Sequence, residues 1–273
     1  MGRVLSDEQV ARYKHDGFLA PVPLLNGPEA RELRRRFETL EAHIGEEAQV
    51  RYKIKAHLPF PWLCNLIRHP KLLDAVEDMI GPNILCWGSS FFSKNARDPR
   101  YVSWHQDTTY YGLKPRDTLT AWVAFTDANT ENGCMKMLPG SHRDGTQATH
   151  DETFDPNNLL SRGQTIRGID ESKAVDVVLK AGEFSFHSEL TFHASPPNGS
   201  DDRRIGYSIH YIAPNVRQTL FEGATAMVCR GRDTHGFWNV EPTPTRDFDP
   251  DCLAALDTAY GLYKAASQKA TAA

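Results

Sequence analysis

The sequence predicts a mainly β fold, a β-sandwich or jelly roll, introduced by N-terminal helices. Three observations carry this reading. Apolar residues recur every three or four positions through the first third of the chain, and that rhythm stops at Gly81-Pro82-Asn83. Short β-prone runs then follow one another, punctuated by clusters such as Glu131-Asn132-Gly133 and Pro139-Gly140-Ser141. Many short strands after a helical opening fit a sandwich or roll, not strand–helix alternation around a parallel sheet.

The elements can be justified in order. Ser6-Asp7-Glu8-Gln9 has capping-box spacing and begins a helix that Gly17 stops. Ala30, Leu33, Phe37, Leu40 and Ile44 put an apolar stripe on a second helix, and Arg34-Arg35-Arg36 form its solvated face. Pro70 opens a third helix, carrying Leu72, Leu73, Val76 and Ile80 and ending at Gly81. Strands are expected at 84–92, 119–126, 175–179, 183–186, 205–212 and 224–229. The alanine-rich tail from Ala265 reads as a fraying helix end. The expected organisation is one domain over 1–273: a helical preface (1–81), a jelly-roll core (82–240) and a C-terminal helical tail (241–273).

Charge and cysteine usage exclude several functions. The 31 basic and 35 acidic residues give a net charge of -4, which argues against nucleic acid or an anionic membrane as partner. Five scattered cysteines form no CxxC pair, so neither a disulfide framework nor a structural zinc site is expected, and a reducing cytoplasm fits. The opening MGRVLSDEQVARYKHDG has no apolar core of a secretory signal, and no apolar run is long enough for a bilayer. The expected partner is a small-molecule substrate; self-association into a homo-oligomer is left open.

The chemistry concentrates in two segments. In Tyr101–Gly112, His105 and Asp107 are two apart, so on a strand both would leave one face. An imidazole and a carboxylate so placed form two corners of a 2-His-1-carboxylate set, whose three open positions suit iron(II). Spacing alone also allows surface decoration. The distal segment GEFSFHSELTFHASPPNGSDDRRIGYSIHYI supplies His193, followed by Ser195, Arg203 and Arg204. A guanidinium grips a carboxylate bidentately and keeps its charge, as the far end of 2-oxoglutarate requires. Adjacent strand residues face opposite ways, so one of Arg203 and Arg204 enters the fold; the offset favours Arg204.

Together these motifs resemble the phytanoyl-CoA dioxygenase family. The matching residues are Gly81-Pro82-Asn83-Ile84, the lysine of Phe92-Ser93-Lys94, Trp104-His105-Gln106-Asp107, Thr120–Phe125, Glu131-Asn132-Gly133, Pro139-Gly140-Ser141-His142, and His193-x-Ser195 with Arg204. The resemblance spans about Leu5 to Trp238. It implies a double-stranded β-helix (a cupin-like jelly roll) with N-terminal helices. It implies iron(II), 2-oxoglutarate and dioxygen (O2) as reactants, with hydroxylation of a C–H bond of a small substrate and release of succinate and carbon dioxide. Carried onto this chain, His105, Asp107 and His193 match the iron ligands, and Arg204 and Ser195 the grip on the distal carboxylate. Gln106 and Trp122 match the 2-oxoglutarate pocket, as does Lys55 through a loosely aligned neighbourhood. Relatives that halogenate replace the carboxylate ligand with a small residue; this chain keeps Asp107. Ala194 stands where many relatives carry Gly.

Plainer readings sit beside these. His187, six residues before His193, is an alternative ligand or a pocket residue. His142 and His210 read as structural, His150 and His235 as surface residues. Trp122 lies in an apolar run and reads equally as core; Tyr110 and Tyr111 read as a substrate entrance or as packing. Desaturation, ring closure or C–X cleavage is the alternative outcome of the same chemistry. A jelly-roll binding protein without 2-oxoglutarate is the alternative from another class.

Overall fold

A computed structural model describes residues 4–160 and 162–272; the side chains of 109, 110 and 267–272 lie outside the description, the Tyr110 candidate among them. The helices are α1 (Asp7–Asp16), α2 (Gly27–Ile44), α3 (Ala48–Arg51), α4 (Pro61–Ile67), α5 (Pro70–Ile80), α6 (Thr108–Tyr111) and α7 (Pro250–Ala272). The strands are β1 (Phe18–Pro23), β2 (Ile84–Lys94), β3 (Val102–His105), β4 (Leu113–Lys114), β5 (Leu119–Ala124), β6 (Met135–Met137), β7 (Asp151–Glu152) and β8 (Gln164–Thr165). They continue with β9 (Val175–Val177), β10 (Glu183–Ser188), β11 (His193–Ser195), β12 (Arg204–Ile212), β13 (Arg217–Gln218), β14 (Thr225–Arg230) and β15 (Asn239–Val240).

Local chemistry sets the helix ends. The Ser6 hydroxyl accepts from the Gln9 amide while the Gln9 side chain accepts from the Ser6 amide, and Gly17 closes α1 at φ +85°. Asn26 and Glu29 repeat the box at α2, which buries Ala30, Leu33, Phe37 and Leu40. Its arginines face solvent and pair: Arg34 with Glu38 and Asp202, Arg35 and Arg36 with Glu32. The preface is not purely helical. Phe18-Leu19-Ala20-Pro21-Val22-Pro23 forms β1, whose two prolines are tolerated because it lies at a sheet edge.

Two sheets make the jelly roll. The larger has the order β1-β10-β5-β12-β2-β14-β15, the smaller β3-β11-β6-β9. Pairing is antiparallel throughout except between β14 and β15. Alternation along β12 sorts its side chains. Ile205, Tyr207, Ile209 and Tyr211 join the main core with Phe37, Leu63 and Val76 from the helices. Arg204, Ser208 and His210 point the other way, into a cavity shared with the smaller sheet. No helix among the described residues is long and apolar enough to cross a membrane.

Candidate active site

His105 ends β3 and His193 begins β11, and the two are Cα partners across the ladder of the smaller sheet. Direct cross-strand partners hold their side chains side by side, and the two ring centroids are 4.1 Å apart. Asp107 is not on the strand with His105. It sits at φ -64° and ψ -34°, heading α6, so a strand end followed by a helical turn brings the carboxylate back. Asp107 therefore does not share with His105 the strand face that the spacing predicts, yet the two side chains converge. Asp107 Oδ1 lies 3.5 Å from His105 Nε2 and 3.6 Å from His193 Nε2.

The outer hydrogen bonds decide which atoms are free. His105 Nδ1 donates to the Ser103 carbonyl and His193 Nδ1 to the Thr191 carbonyl, each at 2.9 Å. A carbonyl can only accept, so both neutral rings present a bare Nε2 to the Asp107 side. The other carboxylate oxygen, Oδ2, is 3.3 Å from His187 Nε2 and 3.5 Å from the Thr120 hydroxyl. Burial alone would raise the Asp107 carboxyl, but with a proton on the neighbouring imidazoles His193, His105 and His187 outweigh it and hold the carboxyl well below the ordinary range; a metal cation in that proton's place would favour the carboxylate in the same way. Two imidazole lone pairs and one ionised carboxylate oxygen are the donor set that a divalent transition metal needs.

Arg204 is the first residue of β12 and 1% exposed. Its guanidinium lies 5.3 Å from the Trp122 ring, and among the described residues its Nε and Nη2 have no hydrogen-bond partner. Burial lowers it to about 10, so it stays charged at neutral pH. A buried charged fork with unanswered donors is a site awaiting an anion. Arg204, Trp122 and Ser195 line the same small cavity, about 60 Å³, as His105, Asp107 and His193. A wider cavity of about 500 Å³ adjoins it and shares His105, Asp107 and Tyr111 as its floor.

Two expected pocket residues do not line the small cavity. Lys55 donates to the carbonyls of Trp87 and Thr225 and pairs with Glu241 at 2.6 Å, in a buried network that includes His57. Its ammonium is fully occupied there and does not line the small cavity. The Gln106 side chain donates to the carbonyls of Thr146 and Leu190 and accepts from the Ala148 amide, which pins the loop behind the metal corner. It borders the wider cavity instead. His150 is half-buried and accepts from the Gln106 amide, so it is not a surface residue, whereas His235 is exposed. His210 lines the cavity beside Tyr111 and Thr120. His142 is bonded to the Lys14 carbonyl in its turn, and Arg203 turns outward to Glu41. Lys94, a family-matching lysine with no role legible in sequence, reaches Ser195, and Tyr263 of α7, outside every motif, borders the wider cavity. Alternation places Lys94 only once the β2–β12 register is known, and Tyr263 lies in a helix far from any motif.

Two bare imidazole nitrogens, a carboxylate and an unpaired guanidinium converging inside a jelly roll define a non-haem iron oxygenase dependent on 2-oxoglutarate. The family model for phytanoyl-CoA dioxygenase matches residues 13–206, and the chain belongs to that family. It is a 2-oxoglutarate-dependent dioxygenase that uses iron(II), 2-oxoglutarate and dioxygen. The peroxisomal phytanoyl-CoA dioxygenase of Bos taurus is 26% identical over 249 residues, 81% of this chain and 73% of that protein. Among solved structures, apo ThoJ, a non-heme monooxygenase, matches with a TM-score of 0.84 and 33% identity over 96% of this chain and 98% of its own. SnoK, a non-heme alpha ketoglutarate dependent carbocyclase from nogalamycin biosynthesis, gives 0.63 and 26% over 78% and 86%.

Proposed function

We propose that the protein hydroxylates a C–H bond of a small organic substrate, releasing succinate and carbon dioxide. His105, Asp107 and His193 would hold the iron(II), and Arg204, with Ser195 and the Trp122 face, the distal carboxylate of 2-oxoglutarate. The observation that carries this is the Arg204 guanidinium, charged, buried and unpartnered in the cavity that the three ligand candidates line. Iron with 2-oxoglutarate, when bound, supplies the oxidising power toward C–H bonds by using dioxygen with decarboxylation of the keto acid.

The chain's own residues do the rest. The carbonyls of Ser103 and Thr191 fix the ring orientations, so both Nε2 atoms face the metal position without rearrangement. His187 and Thr120 engage Asp107 Oδ2, which leaves Oδ1 as the oxygen that would serve as the metal's donor. Arg204 fixes one end of the keto acid and so orients the other. The wider cavity, bounded by Tyr111, Phe92 and Tyr263, takes the substrate and excludes water from the reacting face.

Anaerobic addition of iron(II) and 2-oxoglutarate should give a weak visible charge-transfer band; no band refutes the assignment. A metabolite screen for stimulated succinate release then finds substrates. The likeness to SnoK favours ring closure as the second outcome. Product mass separates the two: hydroxylation adds an oxygen atom, ring closure removes two hydrogens.

A further inference from the structure

We propose that Lys94 is a positioning residue of the co-substrate site, setting the direction of the Ser195 hydroxyl hydrogen. The inference rests on reading the Arg204 cavity as the seat of the distal carboxylate. Lys94 ends β2 and is the Cα partner of Arg204 on β12. The two side chains are 0% and 1% exposed. The Lys94 ammonium meets three oxygens: the Ser195 hydroxyl at 2.7 Å, the Ser195 carbonyl at 3.3 Å, and the Pro196 carbonyl.

The two carbonyls can only accept, so they take two hydrogens from Nζ whatever its charge. A charged Lys94 has a third hydrogen, which goes to Ser195 Oγ. The hydroxyl's own hydrogen is then released toward the cavity that Ser195 and Arg204 line. A neutral amine has no third hydrogen, and its lone pair draws the hydroxyl hydrogen away from the cavity. Protonation of Lys94 therefore selects whether Ser195 donates to a bound carboxylate.

The charged and titratable groups facing Lys94 are Arg204 on β12, Asp98 and Arg100 after β2, and Cys134 before β6. Burial, then Arg204, lowers Lys94 to about 6, so the amine prevails near neutral pH when no anion is bound. A carboxylate on Arg204 brings negative charge beside Lys94 and favours the ammonium. Lys94 takes a proton from solvent, Ser195 reorients, and its hydroxyl donates to the anion that caused the change. Binding and proton uptake are thereby linked.

The test is calorimetric titration of 2-oxoglutarate into anaerobic cobalt(II)-loaded protein at mildly alkaline pH, in two buffers of different ionisation enthalpy. Wild type should take up a proton on binding 2-oxoglutarate and none on binding 2-oxobutyrate, which lacks the distal carboxylate. Lys94→Met should abolish the uptake and weaken 2-oxoglutarate by about tenfold, as for loss of a charged hydrogen bond, with 2-oxobutyrate unchanged. Ser195→Ala should weaken 2-oxoglutarate likewise, and the double variant should lose no more than the weaker single. Should Lys94→Met lose the cobalt absorption bands of a folded site, the wild-type and Ser195→Ala measurements decide. Absent uptake in wild type, equal loss for 2-oxobutyrate, or additive losses overturns the role of Lys94. A wild type that binds metal but neither keto acid overturns the reading of the Arg204 cavity as well.

Discussion

Gly206→Ala probes the packing of Trp122, a wall of the small cavity, with a single methyl group. Gly206 is on β12 two residues after Arg204, and its φ is not left-handed, so alanine meets no backbone strain. The obstacle is Trp122. A Cβ at position 206 would lie 1.8 Å from Trp122 Cζ2 and 2.3 Å and 2.4 Å from Cε2 and Cη2. Trp122 is itself buried in β5, and its ring flanks the Arg204 guanidinium. Relief requires the indole to move off Arg204. Such overpacking costs roughly 1–3 kcal/mol. Displacing the ring from a desolvated guanidinium removes a further contribution on the order of 1 kcal/mol. At about 2–4 °C per kcal/mol for a chain approaching this size, melting should fall by several degrees. Anaerobic titration of the iron(II) protein with 2-oxoglutarate, followed by the charge-transfer band, should show weaker binding. Adding Trp122→Phe removes most of the clashing ring and should recover stability more than affinity. Unchanged melting and affinity in Gly206→Ala would show that the indole does not cover this glycine.

Arg204→Ala should weaken 2-oxoglutarate by tenfold to a hundredfold, the range for a charged hydrogen-bond partner, whereas Arg203→Ala should leave it unaltered; equal effects would refute the inward–outward assignment. Removing metal with a chelator should abolish turnover, and iron(II) should restore it in wild type but not in His193→Ala, checked by succinate release. Glu241 gives a pH dependence. Burial opposes its charge, but Lys55 and His57 hold its carboxyl down to about 2, below the unfolded value near 4.3. A depressed folded value means stability present above the unfolded value and lost as pH falls from about 4 to about 2. Acid unfolding curves should show that loss, on the order of 3 kcal/mol, and Glu241→Gln should flatten it. Glu241→Ala should destabilise at neutral pH by roughly 3–5 kcal/mol, because it leaves the Lys55 charge buried and unpaired.

The parts of this molecule written in local pattern were legible. Ser6 and Gln9 form the anticipated cap, and the six anticipated strands are present within a few residues of their expected ends. His105, Asp107 and His193 converge, and Arg204 enters while Arg203 stays out. What escaped depends on register and tertiary neighbours. β1 was hidden by prolines that an edge position tolerates. Lys55 resembled a pocket residue in sequence, yet Glu241, far along the chain, engages its charge. Gln106 lies between two ligand candidates, but a residue between two convergent ones turns away from them, and its amide is bound to the loop behind. Lys94 is legible in sequence as a family-matching lysine, but only the pairing that sets it beside Arg204 suggests what it does.

The direct opposition of His105 and His193 across one ladder has a consequence for how the metal corner tolerates motion. Strand spacing sets the gap between the two imidazoles, so that gap persists for as long as β3 and β11 remain zipped. Asp107 has no ladder partner: it heads the short helix after the strand, and its carboxylate is held instead through the contacts of Oδ2 with His187 and Thr120. A shift of that helix would carry the carboxylate against those two contacts while the ladder holds the imidazole pair, so the acidic corner is the one that can adjust without unzipping a strand.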